Sequence, residues 1–325
     1  MIGNPQKAAG VLLAALLLPG CAVNPSVRLA DERPGAEALV LGGVPFHPQT
    51  EFQCGPAALA TILGASGVAA TPEALAPQVY LPGRQGSLQV ELLAAARRAG
   101  RVPYVVDGEL DAVWSQLDAG RPVLVLQNLW VRSLPKWHYA VVVGADPARN
   151  RIVLNSGDQR GLRMGAKAFM RTWDWAGRWA IVSLKPGEVP VGADVGRYLT
   201  AVADFEQVAG AEAAAPGYRA AVRAWPQDPR PHLALGNQAH ARKDAAAALR
   251  HYRAGLALAP ADPVLGNNLA SVLGELGCAT EARSALDTAK AALPAGSPWA
   301  AALEQTAREL SAHTVPRSAA CASLR

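Results

Sequence analysis

The chain has 325 residues, half of them hydrophobic, and a formal net charge of +5, which is enough material for two domains. Its 31 Lys and Arg are interspersed with 26 Asp and Glu, and no basic run or basic-aromatic stripe indicates a nucleic-acid partner. The cysteines Cys21, Cys54, Cys278 and Cys321 include no C-x-x-C pair. They are too few and too scattered for a disulfide framework or a zinc site, so the sequence predicts no metal and no cofactor.

Residues 1–21 have the pattern of an export signal. Lys7 is their only charge, and the apolar run that follows is too short to span a bilayer. The run ends in Leu-Pro-Gly-Cys at Cys21, which resembles a bacterial lipobox. This resemblance implies cleavage before Cys21, lipidation of its thiol and, with Ala22 next, a place in the cell envelope on the outer membrane, facing the periplasm. The alternative is an ordinary secretory signal with a chance cysteine.

Residues 22–39, with the breakers Asn24-Pro25 and Pro34-Gly35, are predicted to form a tether. Residues 40–188 carry a mixed α and β pattern. The predicted helices cover residues 54–66, 87–99, 110–117 and 166–173, with a further helix starting at Thr71-Pro72. The predicted strands cover residues 38–44, 102–106, 123–127, 139–145, 152–154 and 179–184. Early helices followed by an antiparallel sheet predict an α+β domain.

Cys54 falls where a loop becomes a helix. It is followed by Gly55 and Pro56, and proline suits the first helical turn because its missing N–H has no partner there. The free N–H groups and the positive end of the helix dipole lower the pKa of a cysteine, so the position favours a thiolate. Gln49, five residues earlier, carries an amide that can join the Cys54 backbone N–H in holding an oxyanion. The alternative is a buried structural cysteine after a turn.

A cysteine nucleophile needs a base, and the sequence offers His138. It is the one histidine at the head of a β run, where the strand can fix its ring while the side chain faces a cleft. His47 lies before the nucleophile's own loop and is predicted to pack locally, and the other histidines belong to the C-terminal half. The alternative for His138 is an ordinary histidine at a strand edge.

A third group must hold the far nitrogen of the imidazole. The strand after His138 ends in Asn155, and Asp158 follows in the next turn. Asn155 lies at the strand end, whereas Asp158 has the charge but lies three residues into the turn. Asp146 is predicted to form the hairpin turn between the two strands. Asn155 is slightly favoured, and Asp158 stays open.

Three motifs follow one another in a specific order: Gln-x4-Cys-Gly-Pro-Ala-Ala, then His-Tyr-Ala-Val-Val-Val-Gly, then a strand with a polar end. This order resembles the bacteriocin-processing cysteine peptidases, which are papain-like enzymes that cut after double-glycine leaders. The resemblance covers about residues 40–186 and implies a papain-like fold, with Cys54 as nucleophile, His138 as base and Gln49 as oxyanion donor. The family usually has Asp-Pro where this chain has Asn155-Ser156. The resemblance does not imply a double-glycine leader as substrate.

Residues 198–312 are Ala-rich and helical. Asp228-Pro229 and Asp262-Pro263 are 34 residues apart, and the pattern between them resembles tetratricopeptide repeats. The resemblance implies an all-α domain whose concave face takes a peptide or protein partner. The alternative is a helical cap on the peptidase domain. Residues 313–325 are predicted to form a flexible tail, which disfavours pairing of Cys321 with Cys278.

These patterns together predict an exported, lipid-anchored cysteine peptidase that hydrolyses peptide bonds and recruits a substrate or partner through helical repeats. The first alternative is a binding or scaffold lipoprotein with the same fold and little or no turnover, because Asn155 stands in place of an acid. The second is an acyl or amide transferase that uses the same Cys54 and His138.

Overall fold

The structure, a computed structural model, describes residues 27–49, 53–312 and Cys321. The predicted signal segment with Cys21, the start of the predicted tether and most of the predicted tail lie outside the described residues. Across the part of the chain that the structure describes, no helix is both long enough and apolar enough to cross a bilayer.

The described part of the predicted tether is packed against the protein. Leu29, in a short helix α1 (Leu29–Glu32), is fully buried. Its backbone N–H donates to Oδ1 of Asn150, and Nδ2 of Asn150 donates to the carbonyl of Val27, each at 2.9 Å. A two-residue strand β1 (Leu39–Val40) follows. An apolar anchor and two part-buried hydrogen bonds therefore hold a segment whose composition predicts a tether.

The first half of the chain is mixed α and β. Its helices are α2 (Cys54–Ala65), α3 (Pro72–Val79), α4 (Gln89–Arg98), α5 (Leu110–Asp118) and α6 (Ala166–Asp174), with a 3₁₀ turn at Pro82–Arg84. Its strands are β2 (Tyr80–Leu81), β3 (Gly86–Ser87), β4 (Val102–Val105), β5 (Val123–Asn128), β6 (Trp137–Asp146), β7 (Arg151–Ser156), β8 (Gln159–Gly165) and β9 (Ala180–Leu184). The predicted α+β class is confirmed for this half.

One antiparallel sheet organises this half, in the order β4-β9-β5-β6-β7-β8, with β1 paired to β6. Both faces are covered. Tyr139 and Val141 of β6 pack towards α2, α3 and α4, whereas Ala140 and Val142 pack towards α5 and α6. Burial on both faces explains why β6 reads as a continuous apolar run. The sequence did not reveal β8, because it is a largely polar edge strand whose side chains are partly or fully exposed.

The second half of the chain is helical. It contains α7 (Val195–Ala209), α8 (Ala211–Ala224), α9 (Arg230–Ala241), α10 (Ala245–Leu258), α11 (Pro263–Glu275), α12 (Ala279–Ala291) and α13 (Ala300–Ala312). Asp262 caps α11 by accepting from the N–H groups of Val264 and Leu265, and Pro263 begins the helix, as expected at a helix start.

The two halves share one apolar core. Tyr198 and Phe205 of α7 belong to the same buried cluster as Val102 and Tyr104 of β4. Helices from α9 onwards build their main cores among themselves. The first helical pair therefore packs on the edge of the sheet, and the later pairs extend from it.

The predicted loose tail is fixed at one residue. Cys321 forms a disulfide with Cys278, 43 residues away along the chain, and both residues are buried in the core of α9 to α12. The sequence disfavoured this pairing because Cys321 lies in a weakly patterned segment. Burial of both cysteines in one apolar cluster is what brings them together.

Candidate active site

Cys54 is the first residue of α2 and is half-buried. The helix behind it is buried without a break from Gly55 to Leu63. Gly55 lies against Ser87 of β3 so closely that an added Cβ would come within 2.6 Å of the Ser87 Cβ. The small residue after the cysteine is therefore required by packing, which sets the first turn of α2 close against β3.

The backbone of Tyr139 is the point where the candidate residues meet. Its amide lies by the Cys54 sulfur, and its carbonyl accepts from Nε2 of Gln49 at 3.4 Å. Gln49 also spans to the end of β7, because its Oε1 accepts from the Gly157 N–H at 3.2 Å and its own N–H donates to the Gly157 carbonyl at 3.0 Å. Since Nε2 carries two hydrogens, Gln49 keeps a second donor for an oxyanion.

His138, immediately before Tyr139, is the second residue of β6. One ring nitrogen, Nε2, lies 2.8 Å from the hydroxyl of Ser156, the last residue of β7. Among the described residues no hydrogen bond joins the Cys54 thiol to this ring. The structure therefore places Gln49 and Cys54 at the Tyr139 backbone, one residue along β6 from His138, and pairs the histidine with a serine.

Neither predicted third residue is hydrogen-bonded to the His138 ring among the described residues. Oδ1 of Asn155 accepts from the Gly161 N–H at 3.1 Å and thereby braces the β7–β8 hairpin, and Asp158 is exposed in the turn. Ser156 takes the position that the sequence assigned to Asn155 or Asp158. The prediction for the third residue thus differs from the hydrogen bonding in this structure.

A β-bulge explains the difference. Counted from the hairpin turn, a regular register would pair Asn155 with Val142, on the face of β6 that carries His138. The register shifts between Val142 and Gly144, so that Asn155 lies opposite Val141. A one-residue shift exchanges the faces of a strand, which puts Ser156 beside His138. Gly144 was the available signal, since a glycine within a strand often marks a bulge.

Burial sets the charge state of both groups. It raises the pKa of the Cys54 thiol, although the backbone amides of Tyr139, Gly55 and Cys54 act in the opposite direction. Burial, with a smaller contribution from the charge of Lys136, lowers the pKa of His138 to about 4. At neutral pH the site therefore holds a neutral thiol and a neutral imidazole. The imidazole is free to accept a proton, and the thiol has to lose its proton when it reacts.

Within the described residues, no group of three or more His, Cys, Asp or Glu side chains is placed to hold a metal ion. The chemistry that the site offers comes from its thiol, its imidazole and its amide donors.

Comparisons with known proteins find likenesses of shape. A crystal structure described as a C39-like peptidase from Bacillus anthracis aligns at 16% identity and a TM-score of 0.40, over 46% of this chain and 98% of its own. The peptidase domain of Streptococcus ComA, a bifunctional ABC transporter involved in quorum sensing, aligns at 21% identity and a TM-score of 0.35, over 44% and 98%. Likenesses of this size do not establish a shared fold. No protein-family model and no curated protein matches the chain.

Proposed function

We propose that this chain is a papain-like cysteine peptidase with Cys54 as nucleophile and His138 as general base. The observation that carries the proposal is that the Cys54 sulfur and the Gln49 amide both lie at the Tyr139 backbone, one residue after His138 in β6. The sequence separates these residues by up to 89 positions, and a helix start, a strand start and a loop bring them together. This is the set of groups that acyl transfer through a thiol requires.

In the proposed reaction the Cys54 proton passes to the His138 imidazole, and the sulfur bonds to the carbonyl carbon of the substrate peptide. The backbone N–H of Cys54 and the second hydrogen of Gln49 Nε2 hold the oxyanion. His138 then gives its proton to the amine as the C–N bond breaks. Water, deprotonated by His138, hydrolyses the thioester and frees the carboxyl product and the thiol. Before the first step the imidazole has to turn from Ser156 towards Cys54.

A peptidase-fold binding protein with weak or no turnover is the second candidate. The neutral charge states of Cys54 and His138 favour it, and so does a hydroxyl partner for the imidazole, because a hydroxyl stabilises an imidazolium less than a carboxylate does. An acyl or amide transferase would use the same groups with an amine in place of water.

We also propose that the chain is exported, with lipid attached at Cys21 and the protein held at the outer membrane facing the periplasm. The buried disulfide between Cys278 and Cys321 supports export, because disulfides persist in oxidising compartments. We further propose that the helical half of the exported protein binds a peptide or protein partner. The groove between α7 and α9, lined in part by Glu206, Gln207 and Asn237, offers polar groups to a peptide.

The test is turnover of a mixed peptide library by the full chain, with products identified by mass spectrometry. Hydrolysis should fall by about a thousandfold or more in Cys54→Ser and in His138→Ala. Thr61→Ser, on the same helix and away from the thiol, is the matched control and should retain activity. Retention of peptides without cleavage, unchanged in Cys54→Ser, would identify a binding protein. Products carrying an added amine would identify a transferase.

A further inference from the structure

The connection between β5 and β6, residues 129–137, exposes an unusual amount of apolar surface. We name this segment the apolar tip. Trp130 is 62% exposed, Leu134 67% and Trp137 54%, and Leu129 and Val131 are exposed beside them. Contiguous exposed patches of large apolar side chains are rare in proteins unless they bind something.

The apolar tip has a fixed shape. Oδ1 of the buried Asn128 accepts from the N–H groups of Trp130 and Lys136 at 3.1 and 3.0 Å, and its Nδ2 donates to the Val131 carbonyl at 3.3 Å. The Leu129 N–H closes the loop on the Lys136 carbonyl at 2.9 Å. A buried amide therefore holds the backbone of the apolar tip in place before any ligand arrives, which reduces the ordering cost of binding.

The apolar tip is continuous with the candidate active site. Trp137 precedes His138 and lies opposite Asn128 in the sheet. Alternate residues of a strand share a face and lie about 7 Å apart, so Trp137 lies on the face of Tyr139, whose backbone amide is by the Cys54 sulfur. An extended peptide with a carbonyl at Cys54 would pass Trp137 within about two residues.

We infer that the apolar tip is a substrate subsite that binds large apolar side chains of an extended polypeptide close to the scissile bond. This inference rests on the proposed peptidase function and names its substrate class. The apolar tip carries two cations, Arg132 and Lys136, and no carboxylate. The occupant is therefore an apolar segment with acidic residues next to it.

A bilayer is the less favoured occupant because of where the N-terminal segment lies. Val27 and Leu29 bind Asn150, in the turn at the far end of β6 from the apolar tip. The ten residues of β6 separate the two ends by about 30 Å. An anchor attached before Val27 thus leaves the protein at the end of the sheet opposite the apolar tip.

The experiment compares two fluorogenic peptides built on one sequence that the chain cleaves. The peptides are identical except at the residues flanking the scissile bond, which are Leu in one peptide and Ser in the other. The unlipidated full chain should prefer the Leu peptide by at least tenfold in kcat/KM. The double variant Trp130→Ser/Leu134→Ser should remove most of this preference, chiefly through KM, and leave the Ser peptide unchanged. Trp299→Ser, similarly exposed but in the helical half, should leave both peptides unchanged.

Equal loss on both peptides, or no loss, would overturn the subsite. The binding of both peptides to Cys54→Ala, followed by anisotropy, separates the subsite from the chemistry. Selective binding of the Leu peptide that is lost in the double variant supports the subsite even if the native chain cleaves nothing. Absence of selective binding overturns it. Sedimentation with phosphatidylcholine–phosphatidylglycerol vesicles that depends on Trp130 and Leu134 would overturn it in favour of a membrane contact.

Discussion

The sheet half and the helical half of this chain bury their apolar side chains differently. Around the sheet, Trp173, Phe169 and other large side chains fill space between layers. Among the helices, backbones approach closely over small residues, as where Gly236 of α9 lies against the Tyr252 ring of α10. In the sheet half the large side chains fill the layers, and the polar side chains lie at the strand ends, where the candidate site forms. The helical half depends on close contacts that any added atom disturbs.

The largest effect on the helical half alone is expected from its disulfide. Cys278→Ser/Cys321→Ser should lower the free energy of unfolding by roughly 2–4 kcal/mol, because the bond closes a long loop in the unfolded chain. Peptide cleavage at 25 °C should not change, since the candidate site lies in the other half. Denaturant unfolding and turnover of the same samples check both points. Loss of activity in step with stability would show that the halves unfold as one unit.

Close helix packing gives the next effect. Gly236→Ala places a methyl group against the Tyr252 ring and should cost about 1–3 kcal/mol of stability, since overpacking forces neighbouring groups to move. Gly165→Ala is the matched control, because nothing lies within 4 Å of the added Cβ. Tyr252→Leu in the same chain should recover part of the loss. Equal stability of both glycine variants would show that the α9–α10 contact is loose.

Acid should weaken the sheet half through His138. The folded chain protonates this ring near pH 4, whereas the unfolded chain does so near pH 6.5. The unfolded state therefore binds more protons between these values, and the free energy of unfolding falls as the pH falls from about 6.5 towards 4. The loss due to His138 should reach roughly 2 kcal/mol at pH 5.

Denaturant unfolding of the native chain and of His138→Gln at pH 7 and pH 5 measures this loss. The variant should lose less stability on acidification. His232 and His251, packed together in the helical half, also have pKa values lowered by burial. His232→Asn/His251→Asn should reduce a separate part of the loss. If His138→Gln loses as much stability as the native chain, the ring is not buried as described.

Sequence patterns predicted those parts of the molecule that depend on local chemistry. The apolar run after His138 predicted β6, and Cys54 with Pro56 predicted the start of α2. Long-range features escaped prediction. The polar strand β8 has no hydrophobic period, and the pairing of Cys278 with Cys321 needs a core that only the folded helices form.

The third residue of the candidate site shows most clearly where sequence reasoning stops. Two successive polar residues, Asn155 and Ser156, end β7, and only one of them can share a face with His138. The register decides which one, and the bulge at Gly144 sets the register. Gly144 in turn is required by β1, because an added Cβ would come within 2.9 Å of the Val40 Cα. A strand far away in sequence thus selects the partner of the histidine.

The smallest effect separates these two residues. A neutral hydrogen bond contributes about 1 kcal/mol, so Ser156→Ala should lower kcat by roughly five- to tenfold with little change in KM. The imidazole nitrogen signals of His138 in NMR spectra should shift, because its ring loses its hydrogen bond to Ser156. Asn155→Ala is the matched control. It should weaken the β7–β8 hairpin through the lost Gly161 contact and leave those signals in place.

Ser156→Asp should raise kcat, because a carboxylate stabilises the imidazolium that forms when Cys54 reacts. If Asn155→Ala moves the His138 signals and Ser156→Ala does not, the unshifted register is the one present in solution, and Asn155 orients the base.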